Sequence, residues 1–235
     1  MDLKILRTVA GLLLMFVMCN TQAQNEELLH KYSILKGDAI RIADEEGSSK
    51  ISGSPYLEKD FQKGFIYFKD HPALAADLRY DIVKEEMQLR MTDLERYQVL
   101  QDGVDVSING VPFQKLNYRG EDGRTMLGYF EVLTAEHNEK PLLLLNKHYK
   151  HVKTGTRSEA RGFPPKYVDK SDYFLKFKDA RFAVPAESRL NNFLAAFPLE
   201  HQGELRSFIQ NNKLKPRKSD DLQQIVTHYN QMLQQ

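Results

Sequence analysis

The sequence predicts an α+β protein that is mainly antiparallel β, built as an open barrel or a sandwich-like sheet, with a short helical C-terminal region. Apolar and polar residues alternate through much of residues 36–185, and this two-residue period is typical of strands. Gly, Asn and Asp recur between the alternating stretches, as they do in tight turns. From residue 187 onward the apolar residues recur every three or four positions, which indicates helices packed on the sheet.

The first 23 residues have the pattern of an export signal peptide. Lys4 and Arg7 carry positive charge, residues 9–18 form a short apolar run, and Ala23 offers a small residue before a cleavage site. A run of about ten residues is too short for a bilayer-spanning helix, which needs about twenty. Cleavage after Ala23 is therefore favoured over a retained membrane anchor, and it predicts a periplasmic or extracellular protein.

The single cysteine of the chain, Cys19, raises the alternative of a lipoprotein. The bulky Met18 precedes it where lipoprotein processing prefers a small residue, so lipidation is less favoured than cleavage after Ala23. That cleavage would leave a chain without cysteine, and so without disulfides, thiolate metal ligands or a cysteine nucleophile.

The charge balance argues against nucleic-acid binding. Removing residues 1–23 lowers the 33 basic residues to 31 and the 32 acidic residues to 31, whereas nucleic-acid affinity depends on clustered positive charge. The remaining sequence has no second apolar run long enough for a transmembrane helix. No integral membrane segment is therefore expected after signal cleavage.

The predicted β domain, residues 24–186, opens with a turn and an aromatic-rich stretch. Gly53 and Pro55 predict a first turn, Lys63-Gly64 predicts a second, and the aromatic residues from Phe65 onward predict a strand. Alternating residues predict further strands at 78–82, 87–91, 104–108, 111–113, 126–133, 142–152, 173–177 and 182–184.

Turn residues separate several of these strands. Lys84-Glu85 predicts a bend, and Asn109-Gly110 predicts a two-residue hairpin because both positions tolerate the positive φ of a type I′ turn. Residues 169–172 predict a turn ahead of the strand at 173–177. Residues 154–166 contain two glycines and two prolines, and they predict the most mobile loop.

Three short amphipathic helices are predicted in the C-terminal region, residues 187–235. The first covers residues 190–197 with Ser188 as its cap, and the second covers the apolar positions up to residue 212. The third starts after Ser219 as its cap, with acidic residues in its first turn, where the helix dipole favours negative charge. Helices this short are not stable alone, so they are expected to pack on the β domain.

Two histidines, His148 and His151, raise the possibility of a metal site. On a strand, a spacing of three places their side chains on opposite faces, and no HExxH motif accompanies them. No metal ion or other cofactor is therefore expected, and both histidines are predicted to be exposed. The sequence also lacks a G-x-S-x-G elbow, a P-loop and a dinucleotide fingerprint, so an enzyme is less favoured than a binding protein.

The candidate ligand-binding residues are Tyr56, Phe65, Tyr67 and Tyr80. The strand that begins at Phe65 carries aromatic residues on both faces. Core packing explains this pattern, and so does a ligand cavity lined by the second face. Aromatic rings provide a large contact area at small entropic cost.

Five motifs are distributed along the chain: GSPYL at 53–57, F-x-K-G-x-I-Y at 61–67, LRYDI at 78–82, GYFEVL at 128–133, and an ending from NNKLK to HYN within 211–230. Together they resemble a family of uncharacterised exported proteins from Bacteroidetes-group bacteria. The resemblance spans most of the mature chain. It implies export and a shared sheet-plus-helix architecture, and it implies no catalytic residues.

We therefore expect an exported, non-catalytic binding or scaffold protein of the cell envelope, with a small molecule, a lipid or an envelope protein as its ligand. A pocket lined by aromatic residues of the sheet would favour this reading. Converging carboxylates or histidines in a cleft would instead favour an envelope hydrolase with an unrecognised site. A wide exposed apolar stripe on residues 190–233 would favour an adaptor that binds proteins through its C-terminal helices.

Overall fold

The computed structural model describes residues 41–44, 51–68, 72–90, 96–120, 123–134, 140–154 and 164–234. The predicted signal peptide and most of the predicted mobile loop at 154–166 lie outside these residues. Within the described part of the chain, eleven strands precede three helices. The strands are β1 (Arg41–Asp44), β2 (Gln62–Tyr67), β3 (Leu74–Asp81), β4 (Glu86–Arg90), β5 (Arg96–Val99), β6 (Asp105–Ile108), β7 (Val111–Arg119), β8 (Thr125–Val132), β9 (Leu142–Lys153), β10 (Lys166–Phe177) and β11 (Val184–Pro185). The helices are α1 (Leu190–Leu194), α2 (Leu199–Asn211) and α3 (Ser219–Met232).

All the described strands belong to one antiparallel sheet with the order β1-β5-β4-β3-β2-β6-β7-β8-β9-β10-β11. The sheet is open, with β1 and β11 as its two edges. From β6 to β11 each strand neighbours the next one along the chain, so this half is a meander. The predicted fold class, a mainly antiparallel open sheet with a helical C-terminal region, is confirmed.

Of the four turns predicted from residue 63 onward, two are confirmed and two are wrong. Asn109 and Gly110 have φ of 51° and 80° and join β6 to β7, and Glu85 has φ of 54° in the turn between β3 and β4. Gly64, in contrast, lies within β2, where the carbonyl oxygen of Ser107 occupies the space that a side chain would need. Residues 169–172 lie within β10, which pairs with β9 over twelve residues without interruption.

Three groups of buried side chains stabilise the sheet. The first lies on the inner face of β2–β4 and β6–β8 and includes Leu78, Tyr80 and Tyr129. The second lies between β9, β10 and the helices, where α1, α2 and α3 bury their apolar faces. The third surrounds three rings that meet edge to face at centroid distances of 5.2 to 5.6 Å: Tyr118, Phe130 and Phe174.

The helix starts differ in part from the prediction. α1 begins at Leu190 but ends at Leu194, and α3 begins at Ser219. Neither Ser188 nor Ser219 is the N-cap, because Arg189 and Lys218 take those positions without a side-chain capping bond. The acidic first turn of α3 is present as predicted.

A buried asparagine attaches α3 to the sheet. Asn230 is 5% exposed; its side-chain oxygen accepts from the Leu142 N–H, and its side-chain nitrogen donates to the Leu142 carbonyl, both at 2.9 Å. This amide therefore satisfies both backbone polar groups of Leu142, as a neighbouring strand would.

We expect Asn230→Leu to lower the free energy of unfolding by about 2 kcal/mol, because the buried polar groups of Leu142 would lose both partners. Urea denaturation measures the change. Gln231→Leu, at an exposed position of the same helix, is the matched control and should change stability by less than about 0.5 kcal/mol. Equal losses in the two variants would contradict this role of Asn230.

Residues 51–57, which we call the strap, connect distant parts of the sheet. At one end Ser52 pairs with β10, and at the other end residues 55–57 pair with the end of β3. The bonds are Ser52 N–H to Pro165 O (2.7 Å), Tyr167 N–H to Ser52 O (3.0 Å), Leu57 N–H to Tyr80 O (2.9 Å) and Ile82 N–H to Pro55 O (3.1 Å).

Candidate binding site

The strands β8 and β9 separate over most of their length. They pair only at Glu131 with Asn146 and at Val132 with Leu145. On their other sides, β8 pairs with β7 over seven residues and β9 pairs with β10 over twelve. Residues 125–130 of β8 and 147–153 of β9 therefore diverge from one another beyond the paired segment.

The side chain of Glu85 lies where the two strands begin to separate. One carboxylate oxygen accepts the backbone N–H of Tyr129 on β8 at 2.9 Å and the hydroxyl of Tyr80 at 2.7 Å. The other accepts the Lys147 ammonium from β9. Because Tyr129 N–H is bonded to a side chain and not to a strand, Glu85 takes the place of a β8–β9 backbone bond.

Lys147 is a fully buried amine, with 0% of its side chain exposed. It also donates to the Tyr80 hydroxyl at 3.2 Å and lies 5.7 Å from the Phe130 ring centroid. Burial lowers the pKa of Lys147, whereas the Glu85 carboxylate raises it. Burial and, next, Glu85 raise the pKa of Tyr80, so this hydroxyl stays protonated and donates to the carboxylate.

A glycine leaves room for this buried ion pair. A Cβ at Gly128 would lie 3.0 Å from both the Glu85 carboxylate and the Lys147 Cε. Both side chains therefore pass directly over the backbone of β8, and this is why the polar cluster fits within a packed sheet.

An open groove of about 770 Å³, which we call the β8–β9 groove, lies beside the cluster. Tyr118 and Phe174 line it from the third core group, Met126 comes from β8, and Tyr149 and His151 come from β9. The Lys147 amine is 5.3 Å from the Tyr149 ring centroid, so the ion pair lies next to the groove. The charged residues that line the groove are Arg124, Asp172, Glu187 and Arg217.

The four predicted ligand-binding residues do not form one surface. Tyr80 is buried on the inner face of the sheet, with 1% exposure. Phe65 pairs with Ala75 in neighbouring β3, and the alternation of side chains along β2 and β3 places Phe65 and Tyr67 on the face opposite Tyr80. Phe65 and Tyr67 are nearly half exposed, and ligand binding by them stays a prediction.

Tyr56 packs against a cation. The Arg79 guanidinium lies 3.8 Å from the Tyr56 ring centroid and 4.2 Å from that of Phe61, and Arg79 Nε donates to the Gln88 side chain at 3.0 Å. Tyr56 of the strap and the neighbouring Phe61 thus stack on a buried guanidinium, which gives both rings a structural role. Tyr67 borders a second open groove, of about 730 Å³, beside β6 and β7.

The two histidines of β9 lie on opposite faces, as the spacing predicts. His151 is exposed and lines the β8–β9 groove. The prediction that His148 is also exposed is wrong: 21% of its side chain is exposed, and its Nε2 lies 2.8 Å from the Glu131 carboxylate. Asn146 donates to the same carboxylate at 3.0 Å. Among the described residues, no group of three or more His, Cys, Asp and Glu is arranged to hold a metal ion.

The hydrogen bond from His148, together with that from Asn146, lowers the pKa of Glu131 below its ordinary value of 4.5, against the opposing effect of burial. Below pH 4.5 Glu131 therefore becomes protonated in the unfolded chain while it is still ionised in the folded chain. The stabilisation is present above pH 4.5 and is lost as the pH falls through the folded-state pKa.

We expect Glu131→Gln to reduce the loss of stability between pH 4.5 and pH 3, since an amide does not titrate. Chemical denaturation across this pH range measures the effect. Glu204→Gln, at an exposed position of α2, should keep the wild-type pH dependence. Identical slopes for wild type and Glu131→Gln would contradict the assignment.

The apolar stripes of the helices face the sheet. Leu222, Ile225, Val226 and Tyr229 of α3 are 0 to 2% exposed, and the large apolar side chains exposed on the helical region include Leu199 and Leu233. The apolar stripe that an adaptor would need to expose is therefore buried against the sheet.

No family model, curated protein or solved structure matches this chain. The resemblance to an exported Bacteroidetes family accordingly stays a prediction. Within the residues that the structure describes, the helices are too short or too polar for any of them to cross a bilayer.

The Glu85–Lys147–Tyr80 cluster was not predicted from the sequence. Lys147 interrupts the apolar alternation of a predicted strand, which is a signal for a buried lysine, and Glu85 lies in a predicted bend. The two residues are 62 positions apart, so their contact depends on the curvature of the sheet and not on local pattern.

Proposed function

We propose that this protein is a non-catalytic binding protein of the cell envelope, and that its ligand occupies the groove between β8 and β9. The observation that carries the proposal is the separation of these two strands, held by the buried Glu85–Lys147 pair, beside an open groove of about 770 Å³. Ligand pockets combine apolar and aromatic walls with a few polar groups, and the groove has this composition.

The proposed envelope location rests on the signal-peptide pattern of residues 1–23 and on the family resemblance. The hydrolase alternative has less support. His151 and Asp172 both line the groove, but they lie four positions apart along the β9–β10 ladder and so do not converge. The Glu131–His148 pair is in direct contact, and neither of its members lines the groove. Its hydrogen bonds are made within the sheet, to Asn146 and between the pair itself.

The test is native mass spectrometry of the protein purified from the envelope of a bacterium that exports it. We expect a bound species on the wild type and its loss in Met126→Arg, which places a charged side chain in the groove. Phe65→Arg, at a similarly exposed position outside the groove, is the control and should keep the bound species.

Two outcomes would overturn the proposal. One is an empty wild-type protein that also shows no thermal stabilisation by the envelope extract. The other is a bound species that Phe65→Arg removes and Met126→Arg retains, which would place the ligand on the sequence-predicted aromatic face of β2.

A further inference from the structure

We propose that the groove accepts an extended, acidic peptide segment of another protein, which pairs as an added strand with the open edge of β9. This inference rests on the proposed function, because it specifies the ligand of the same groove. Addition of a strand to an exposed sheet edge is a general mode of peptide recognition, in which main-chain hydrogen bonds contribute affinity and side chains contribute specificity.

The backbone of β9 directs alternate polar groups toward β8. On the side that faces β8, the Leu144 carbonyl accepts a hydrogen bond from the Leu133 N–H at 2.9 Å, and the Leu144 N–H donates to the Thr134 hydroxyl at 2.7 Å. By the alternation of an antiparallel ladder, Lys150 and Val152 direct their N–H and C=O groups to the same side. Among the described residues, no strand pairs with them there.

The facing edge of β8 is open in the same way. Tyr129 directs its N–H into the gap, where Glu85 accepts it. Thr125 and Leu127 follow at intervals of two residues, so their backbone groups also face the gap, and no described strand pairs with them on that side. The gap therefore offers two edges, and unpaired edges are templates for another chain.

Exposed apolar side chains flank both edges. Met126 and Leu127 on β8 are each 38% exposed, and Val152 on β9 is 47% exposed. Leu127 and Val152 lie on one face of the sheet, while Met126 lies on the groove face with Tyr149. An added strand with an apolar residue at every second position would cover Leu127 and Val152.

The groove face near the end of β9 is basic. Lys153 lies directly opposite Lys166 on β10, and Lys170 lies opposite Tyr149 on the same face. All three lysines are exposed. Like charges in directly opposed positions destabilise a sheet, and acidic residues of an added strand would offset this repulsion. Asp172 also lines the groove, but it lies six positions from Lys166 along β10. The charges at this end of β9 therefore favour a partner segment that alternates apolar and acidic residues.

The probe for the test is a fluorescein-labelled hexapeptide, Val-Glu-Val-Glu-Val-Glu, which spans about 20 Å as a strand and so matches residues 148–153. We expect saturable binding by fluorescence anisotropy, at least tenfold tighter than for the corresponding Val-Lys peptide. Two further peptides carry N-methyl groups on either all valines or all glutamates. At least one of them should bind tenfold more weakly, because methylation removes the donors that a strand needs.

Variants locate the site. Lys153→Glu combined with Lys166→Glu should lower the affinity for the Val-Glu peptide at least tenfold. Lys178 is an exposed lysine beyond the far end of β10, and Lys178→Glu should leave this affinity unchanged. Hydrogen exchange on the free protein should show fast amides at Leu127, Lys150 and Val152, and the peptide should slow them.

The inference is overturned by unaltered affinity of both N-methylated peptides, by unchanged binding in the double lysine variant, or by slow exchange of these amides in the free protein. Absence of peptide binding together with a Met126-dependent, non-peptide species in native mass spectrometry would also overturn it. That last result leaves the proposed function intact, so the two failures are distinguishable.

Discussion

Gly64→Ala is expected to destabilise the protein by about 4 kcal/mol or more, a loss that single substitutions reach only through severe steric or polar conflicts. An alanine Cβ at this position of β2 would lie 2.1 Å from the carbonyl oxygen of Ser107 and 3.0 Å from Leu78 Cδ1. The oxygen belongs to the backbone of neighbouring β6, so it cannot move aside without displacing the strand.

The comparison for this substitution is Gly203→Ala. Gly203 lies within α2, and a Cβ there would meet no atom within 4 Å. Alanine has the higher helix propensity, so this variant should gain about 0.5–1 kcal/mol. Urea denaturation measures the change in the free energy of unfolding for both variants. A loss below about 1 kcal/mol for Gly64→Ala would contradict the close contact between β2 and β6.

Glu85→Ala is expected to lower the free energy of unfolding by about 3–5 kcal/mol, because removing one member of a buried ion pair leaves the other charge uncompensated. Lys147 is fully buried, and Glu85 is its only acidic partner within ion-pair distance among the described residues. The Tyr129 N–H would lose its acceptor in the same variant.

A double-mutant cycle separates the ion pair from general packing. Lys147→Met keeps the volume of the side chain and removes its charge, so the double variant Glu85→Ala/Lys147→Met should be more stable than Glu85→Ala alone. Equilibrium denaturation of all four proteins gives the coupling energy. Strictly additive losses would mean that the two charges do not stabilise one another.

Most strands and all three helices follow from local patterns, because the periods of strands and helices are properties of neighbouring residues. The short strands β1 and β5 are not predicted. Asn109-Gly110 predicts its hairpin correctly since the required positive φ depends on these two residues alone. Gly64 shows where this reasoning fails. A glycine beside a lysine suggests a turn, but here the cause is the backbone of another strand, which the local sequence does not encode.

The candidate site depends on contacts that a local pattern does not encode. Glu85 is correctly predicted to lie in a bend, but its partner on β9 is brought close by the curvature of the sheet. The sequence predicts an exposed His148, whereas its environment is set by Glu131 on β8. The aromatic content of the sequence marks Tyr80 and Tyr56 as candidate binding residues, but it does not show whether an aromatic ring lies in the core or on a binding surface.

The strap has a consequence for the order in which the chain acquires its structure. The backbone of Ser52 bonds to Pro165 and Tyr167, which follow it in the chain by 113 and 115 residues. The strap therefore cannot reach its final position until β10 is available to pair with it. A contact between such distant parts of a chain slows folding, so completion of this fold waits for nearly the whole polypeptide.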